Sequence, residues 1–307
     1  MFDFKMVKCC YLLMGCCLVS ACQPKLQSTT EPNDKETPAS TAVVVMKQAQ
    51  LEGGTDKLKF VLPECDANSC PEVSIERLQS NQQFVDQWID QAIIKHVNDI
   101  LSLLPNYTRI NEEVTAASTP QSQEDQLELQ LQPAMAIFLK LDQELKDLNV
   151  AHKISLTVKP RIINAGQPLA TVMLNSNHYL GGAHGSSTQK YYNFDLKQQK
   201  LMQLEDILQP QQEANLEKIA HHAFENWVIE TELATDPKEY EQAWKFSLAD
   251  NFYLSPQGLV LQYGEYEIGP YVVGLPRLII DYAQLKTVLK PEYLPKPEPT
   301  SASEPKS

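Results

Sequence analysis

NHYLGGAHGSSTQKYYNFDLKQQKLMQLEDIL, residues 177–208, reads as two strand-like segments around a turn built on Gly181, Gly182 and Gly185. Three of the chain's 11 glycines fall here, so the backbone of the turn needs positive φ or a close approach that a side chain would block. Beyond the turn, Asn193, Phe194, Asp195 and Leu196 alternate polar and apolar as a half-buried strand does. Residues 197–200 then make a polar hairpin turn before Leu201.

Outward from this stretch, the period of the apolar residues sorts the chain into elements. Towards the N-terminus, Ile154, Leu156 and Val158 share one face of a strand, a turn follows at 164–168, and 170–174 is a second strand. With 191–196 these make an antiparallel meander. Towards the C-terminus, 204–208 is a short helix and about 211–232 a longer one, with Leu216, Ile219, Ala220, Ala223, Phe224, Trp227 and Val228 on its buried face. Residues 252–254 and 259–261 pair across Ser255-Pro256-Gln257-Gly258, whose proline and glycine fit a tight turn. A loop dense in tyrosine, glycine and proline runs from Tyr263 to Gly274. A strand at 278–280, a helix at 282–289 and a proline-rich tail from Pro291, expected to be disordered, complete the chain.

Earlier in the chain, Leu58 to Leu62 alternates as a first strand, closed off by a loop from Cys65 to Cys70. Asn81 is placed to cap a helix whose apolar face is Phe84, Val85, Trp88, Ile89, Ala92, Ile93, Val97, Ile100, Leu101 and Leu104. After a polar gap at 105–123, Leu127, Leu131, Ala134, Phe138, Leu141, Leu145 and Leu148 repeat the helical spacing. Pro133 inside that pattern predicts a kink or two abutting helices.

At the N-terminus, Lys5 and Lys8 precede an apolar run from Tyr11 to Ala21 that is too short to span a bilayer, the pattern of a secretory signal. It ends in Leu18-Val19-Ser20-Ala21-Cys22, which resembles a bacterial lipobox and predicts cleavage before Cys22 with a lipid on its thiol. Gln23 rather than Asp follows, so the outer membrane is the expected address in a cell with two membranes. Five of the seven cysteines lie in or end the signal; only Cys65 and Cys70 remain, and two cysteines in an oxidising compartment pair. A metal site there would need two further ligands that nothing nearby supplies. The chain carries a formal charge of −13, and the signal holds Lys5, Lys8 and Asp3, so its loss leaves the body more acidic still. That sign repels nucleic acid and favours cationic partners. From Gln23 to about Asp56, Ser, Thr, Pro, Glu and Lys make a tether, interrupted by Val43-Val44-Val45.

Several motifs in order carry a resemblance: Cys70-Pro71-Glu72-Val73-Ser74-Ile75 before the long helix, Gly181-Gly182-Ala183-His184-Gly185, Tyr192-Asn193-Phe194-Asp195-Leu196, Leu204-Glu205-Asp206-Ile207-Leu208, and Tyr266-Glu267-Ile268-Gly269-Pro270-Tyr271. Together they resemble the extracytoplasmic RsiV/PdaC-type, DUF3298-like family over most of residues 58–290. That family includes the outer part of an anti-sigma factor that senses lysozyme and the accessory region of some peptidoglycan deacetylases. The resemblance implies binding of lysozyme or cell-wall material. No sigma-binding segment, deacetylase domain, Asp-Asp or His-x-x-x-His metal motif is read here. The expectation is the shared outer domain on a lipid anchor.

Among the candidate sites, His184 would need partners to act as a base or ligand, and His178 and Asp195 are the available ones. The plainer and preferred reading is an imidazole that hydrogen-bonds the backbone of a tight turn. His221 and His222 are adjacent on a helix and face apart. Neither Gly-x-Ser-x-Gly nor His-Glu-x-x-His occurs. Asp195, Glu205 and Asp206 fit caps and helix-dipole partners better than a glycosidase acid pair. The 263–274 loop has two readings: rigid tyrosines offering a contact surface near Glu265 and Glu267, or a crossover packed under the sheet.

The expected fold is α+β: a long N-terminal helix plus an antiparallel sheet with helices packed on one side. Its parts are a lipoprotein signal (1–21), a tether (22–56), an N-terminal α/β part with the Cys65–Cys70 loop (57–152), a C-terminal antiparallel domain (153–290) and a tail (291–307). The expected function is non-enzymatic binding of lysozyme, another basic protein or cell-wall glycan at the envelope, through Gly181, Gly182, His184, Tyr266, Pro270 and Tyr271, with no catalytic residue, metal or cofactor. The rival is an envelope glycan hydrolase or deacetylase-like enzyme using the His184 region.

Overall fold

The computed structural model describes residues 49–66, 69–104, 123–149 and 152–296. The signal, Cys22, Val43–Val45, most of the 105–123 gap and the tail beyond Lys296 lie outside the described residues. Six strands hydrogen-bond side by side in chain order: β1 (Gly53–Lys57), β2 (Glu72–Ser80), β3 (Ser155–Asn164), β4 (Ala170–Tyr179), β5 (Ser186–Asp195) and β6 (Lys200–Met202). Neighbours are antiparallel except β2 and β3, which run parallel with Val73 opposite Leu156 and Ile75 opposite Val158. A parallel pair needs a long crossover. Helices α1 (Gln83–Leu101) and α2 (Gln123–Asp147) lie in that connection. The sheet is therefore mixed, not antiparallel throughout, because the chain enters β3 in the direction in which it left β2.

Val85, Ile89, Ile93 and Val97 recur every four residues along α1 and are 0% exposed. They share one core with Ile75, Leu156, Val158, Val172, Leu174 and Phe194 of the sheet and with Leu127, Leu131 and Phe138 of α2. α2 runs through Pro133 as one element, not as two abutting helices. Burial of Leu131, Ala134, Met135 and Phe138 around the proline offsets the one hydrogen bond it removes.

Other expectations shift. The first strand is Gly53–Lys57 rather than 58–62: the β2 pairing ends at Lys57 opposite Glu76, and although Leu58 is buried, Val61 is 94% exposed. Leu51 is buried and donates its N–H to Ala165 O, so the folded body begins inside the expected tether. Asn81 does not cap α1; its side chain accepts from Glu52 N and donates to Gln50 O, tying down the incoming chain. Asp86, one turn into α1, instead accepts from Ser80 N and Oγ. Trp88, placed on the buried face, is 48% exposed.

The second sheet is antiparallel: β7 (Phe252–Leu254), β8 (Gly258–Gln262) and β9 (Arg277–Asp281). Helix α3 (Leu204–Ile207) leads to α4 (Glu213–Glu230), whose Leu216, Ala220, Phe224 and Val228 join Leu259, Leu261, Leu278 and Ile280 in a second core. Helix α5 (Pro237–Ala243), not expected, starts where the Asp236 carboxylate accepts from Lys238 N. After α6 (Tyr282–Leu285), Tyr293 is buried in the second core and Leu294 packs against it, so the body extends past the boundary set at Pro291.

Asparagines join the two sheets. Asn193 of β5 accepts from Thr171 Oγ1 at 2.9 Å and donates to Phe252 O at 2.7 Å. Asn251, just before β7, accepts from Tyr191 N and donates to Gln189 O, as a neighbouring strand would. The division set at 153 thus runs through a continuous sheet. The two cores meet instead along β5 and β7.

Candidate functional site

Two loops distant in sequence meet at one end of β4 and β5: 181–185, between those strands, and 263–274, between β8 and β9. Gly181 takes a left-handed φ of 86°, and a Cβ on Gly185 would come within 2.9 Å of His178 O. This is the positive φ and close approach expected of the turn. The other loop is rooted by Tyr263 and Ile268, 1% and 0% exposed; Tyr263 donates its hydroxyl to Ser247 O, and Ile268 O accepts from Tyr240 OH. Between these roots the chain turns outward. Tyr266 adopts φ 64°, and Pro270 leads into a 3₁₀ turn over Tyr271–Val273. The loop divides: its roots are core, while Tyr266, Tyr271 and Val272 are 51%, 39% and 85% exposed.

His184 lies where the loops touch. Its ring stacks on Tyr271 with centroids 4.1 Å apart, and Tyr266 stacks on Tyr271 at 5.8 Å. Nδ1 is 2.8 Å from Gly185 O, and because a carbonyl only accepts, the ring proton sits on Nδ1. In the neutral ring, Nε2 then accepts from Tyr266 OH at 3.2 Å. The Tyr271 hydroxyl donates to the same Gly185 carbonyl at 3.0 Å. Glu265 completes the junction, accepting from Ser186 Oγ at 2.7 Å and Ser187 N at 2.9 Å. Glu267 accepts from Gly264 N at 2.8 Å. The result is an outward-facing aromatic stack on a hydrogen-bonded frame, with two carboxylates at its base.

The partners considered for catalysis are not assembled around His184. The β4–β5 register sets His178 opposite Ser186, while Asp195 ends β5 at the far side of the sheet. There it accepts from Lys197 N and Gln198 N in the hairpin turn. Burial lowers the pKa of His178, and its buried Nδ1 has no hydrogen-bond partner among the described residues. Asp206 accepts from Gln203 N and pairs with Lys200, bonds that hold its carboxyl below the usual carboxylate range. His221 bonds Glu241 and His222 bonds Glu225. Among the described residues no group of three or more His, Cys, Asp and Glu side chains is arranged to hold a metal ion.

One polar cluster escaped the sequence reading. Ser69 Oγ and His152 Nε2 both bond Asp142 Oδ1, and Lys146 Nζ lies 3.4 Å from Oδ2. The three residue types are those of a serine hydrolase, but both Ser69 and His152 face the carboxylate, an order that gives the hydroxyl no base. The cluster instead fastens the Cys65–Cys70 loop, which is disulfide-bonded: Ser69 N donates to Asp66 Oδ1, and Lys146 pairs with Asp66. Its members come from a loop, α2 and the approach to β3, so no local spacing marks it.

Comparison with known proteins adds a family. Residues 205–283, from α3 into α6, match the family described as a protein of unknown function (DUF3298). The chain is 24% identical over 162 residues to peptidoglycan-N-acetylmuramic acid deacetylase PdaC of Bacillus subtilis (strain 168), a match over 51% of this chain and 34% of that protein. The chain thus spans about a third of the length of this curated relative. A DUF3298 family protein of Pseudomonas aeruginosa PAO1 superposes with a TM-score of 0.56 at 23% identity, over 80% of this chain and 97% of that one. A DUF3298 family member of Bacteroides fragilis NCTC 9343 superposes with a TM-score of 0.50 at 16% identity, over 80% and 95%. These likenesses show a shared fold.

Proposed function

For a chain that carries a DUF3298 domain of the PdaC/RsiV type, we propose a binding role at the cell envelope, exercised through the Tyr266–His184–Tyr271 stack. The observation that carries this reading is the engagement of His184: both ring nitrogens and one ring face are taken up by Gly185, Tyr266 and Tyr271. An imidazole so occupied shapes a surface rather than moving protons, and locked aromatic rings give contact area at low entropy cost. The partner class is a basic protein such as lysozyme, drawn by the chain's −13 charge, or cell-wall glycan. In this reading the protein is exported, carries lipid on Cys22, and sits on the outer membrane where a cell has two. The deacetylase-like alternative draws on the similarity to PdaC, confined to about a third of that protein.

Calorimetry of the soluble body, residues 23–307, with lysozyme at two salt concentrations tests the proposal. Saturable one-to-one binding that persists at the higher salt is expected, weakened about tenfold by Tyr271→Ala, the loss of one well-packed aromatic contact. Heat that vanishes with salt, or equal affinity in the variant, would reduce the attraction to nonspecific charge or move it elsewhere. His184→Ala separates the alternatives: under the first reading binding is weakened, by no more than in Tyr271→Ala, because the ring that Tyr271 stacks on is lost, whereas under the second turnover of envelope glycan is abolished.

A further inference from the structure

At the end of β4 away from His184, the β3–β4 turn faces the β7–β8 turn across a cavity of about 620 Å³. The ten residues of β4 place the two ends roughly 30 Å apart, so the cavity and the aromatic stack are separate places. The volume lies within the range of about 300–1,000 Å³ of small-molecule sites. Tyr253, Tyr282 and Tyr293 line it with Asn164, Gln167 and Pro168.

These rings are held before any ligand arrives. Tyr253 stacks on Tyr191 with centroids 4.4 Å apart, Tyr282 donates its hydroxyl to Ser255 O at 2.9 Å, and Tyr293 is 7% exposed. Gln167, Tyr253 and Tyr293 are among the lining residues and bring neutral donors and acceptors beside aromatic surface. Charge is balanced at the mouth: Glu292 and Lys296 are the lining residues that carry it, one of each sign. Among the lining residues a phosphorylated or strongly acidic ligand would find no cation but Lys296, and a cationic ligand no carboxylate but Glu292.

We propose that this cavity is a second binding site that takes a neutral saccharide, its C–H faces on the tyrosine rings and its hydroxyl or acetamido groups on Gln167, Tyr253 and Tyr293. The site stands independently of the role given to the His184 stack. The test is a titration of the purified protein with triacetylchitotriose and, separately, with cellotriose, followed by backbone amide NMR shifts. Saturable shifts at Gln167, Ser255, Tyr282 and Leu294 with either sugar, and none at His184 or Tyr271, are expected. Tyr253→Ala weakens this binding roughly three- to tenfold, as the loss of one aromatic contact implies. Gln167→Ala, an exposed change with no effect on packing, weakens it too and keeps the test valid if the tyrosine variant misfolds. Failure of both sugars to saturate at millimolar concentration, shifts centred on His184 and Tyr271, or a proline-rich peptide that binds these residues where the sugars do not, would each overturn the proposal. Unchanged affinity in both variants would do the same.

Discussion

His152 and His184 are both held by hydrogen bonds, but in opposite surroundings. His152 is 3% exposed at its side chain, lies 2.7 Å from the equally buried Asp142, and shares that carboxylate with Ser69 and Lys146. His184 sits on an exposed loop against a carbonyl, a phenol and a stacked ring. The buried cluster contains the residue types of a hydrolase and works as a clamp on the disulfide loop. The exposed one also holds a serine and a carboxylate, but Ser186 bonds Glu265 and not the imidazole, whose nitrogens face Gly185 O and the Tyr266 hydroxyl. Burial and the order of the partners, rather than residue identity, separate the two.

The largest test of this contrast is Asp142→Ala. It removes the acceptor shared by Ser69 and His152 and one of the two carboxylates that pair with Lys146, and removal of one member of a buried charged network costs about 3–5 kcal/mol, read as a lowered urea midpoint. A loss below about 1 kcal/mol would put the clamp on a par with an exposed ion pair.

Acid should act on the same cluster. Burial works against the Asp142 charge, but hydrogen bonds from Ser69 and His152 and the charge of Lys146 outweigh it and hold the carboxyl below its ordinary range. A depressed carboxylate contributes stability that is complete above its unfolded pKa of about 4 and lost as pH falls through the lower folded value. Urea midpoints followed downward from pH 5 should therefore fall more steeply for the natural protein than for Asp142→Asn. Parallel curves would mean that the charge contributes nothing.

Smaller effects are expected on the exposed side. Gly181→Ala puts a side chain at φ 86° and 3.1 Å from Leu145 Cδ1, at a cost of about 1 kcal/mol. Gly182→Ala meets nothing within 4 Å and should be close to neutral. Thermal melts that rank the two alike would break the account of the turn. His184→Ala should shift stability by less than about 0.5 kcal/mol; a larger loss would make the stack part of the core.

Much of the secondary structure was legible because it rests on local patterns. The period of four along α1, the alternation in β3 and β4, and the proline–glycine turn between β7 and β8 are all visible within windows of a few residues. The misplacements have physical causes as well. Residues 58–62 alternate, but after Leu58 N donates to Ile75 O the chain leaves β2: Lys59 N turns to the Glu128 carboxylate and Val61 is exposed. Asn81 is a good capping type spent on Glu52 and Gln50, and the parallel pairing of β2 with β3 depends on how two helices return the chain.

The candidate site divides in the same way. His184, Tyr266 and Tyr271 could each be singled out in sequence, since a glycine turn and a tyrosine-rich loop have local signatures. Their union could not: the hydrogen bond between Tyr266 and His184 spans 82 positions and that between Tyr271 and Gly185 spans 86. The cluster of Ser69, Asp142 and His152 and the cavity beside Tyr253 are likewise assembled from distant segments. By itself the sequence determined the periodicities, the turns, the acidic charge and the family resemblance, because each is a property of neighbouring residues or of a sum over the chain. Only the tertiary structure decided which loops meet, which histidine is buried and which tyrosines face outward, because packing two sheets through Asn193 and Asn251 sets those distances, and no local window contains both partners.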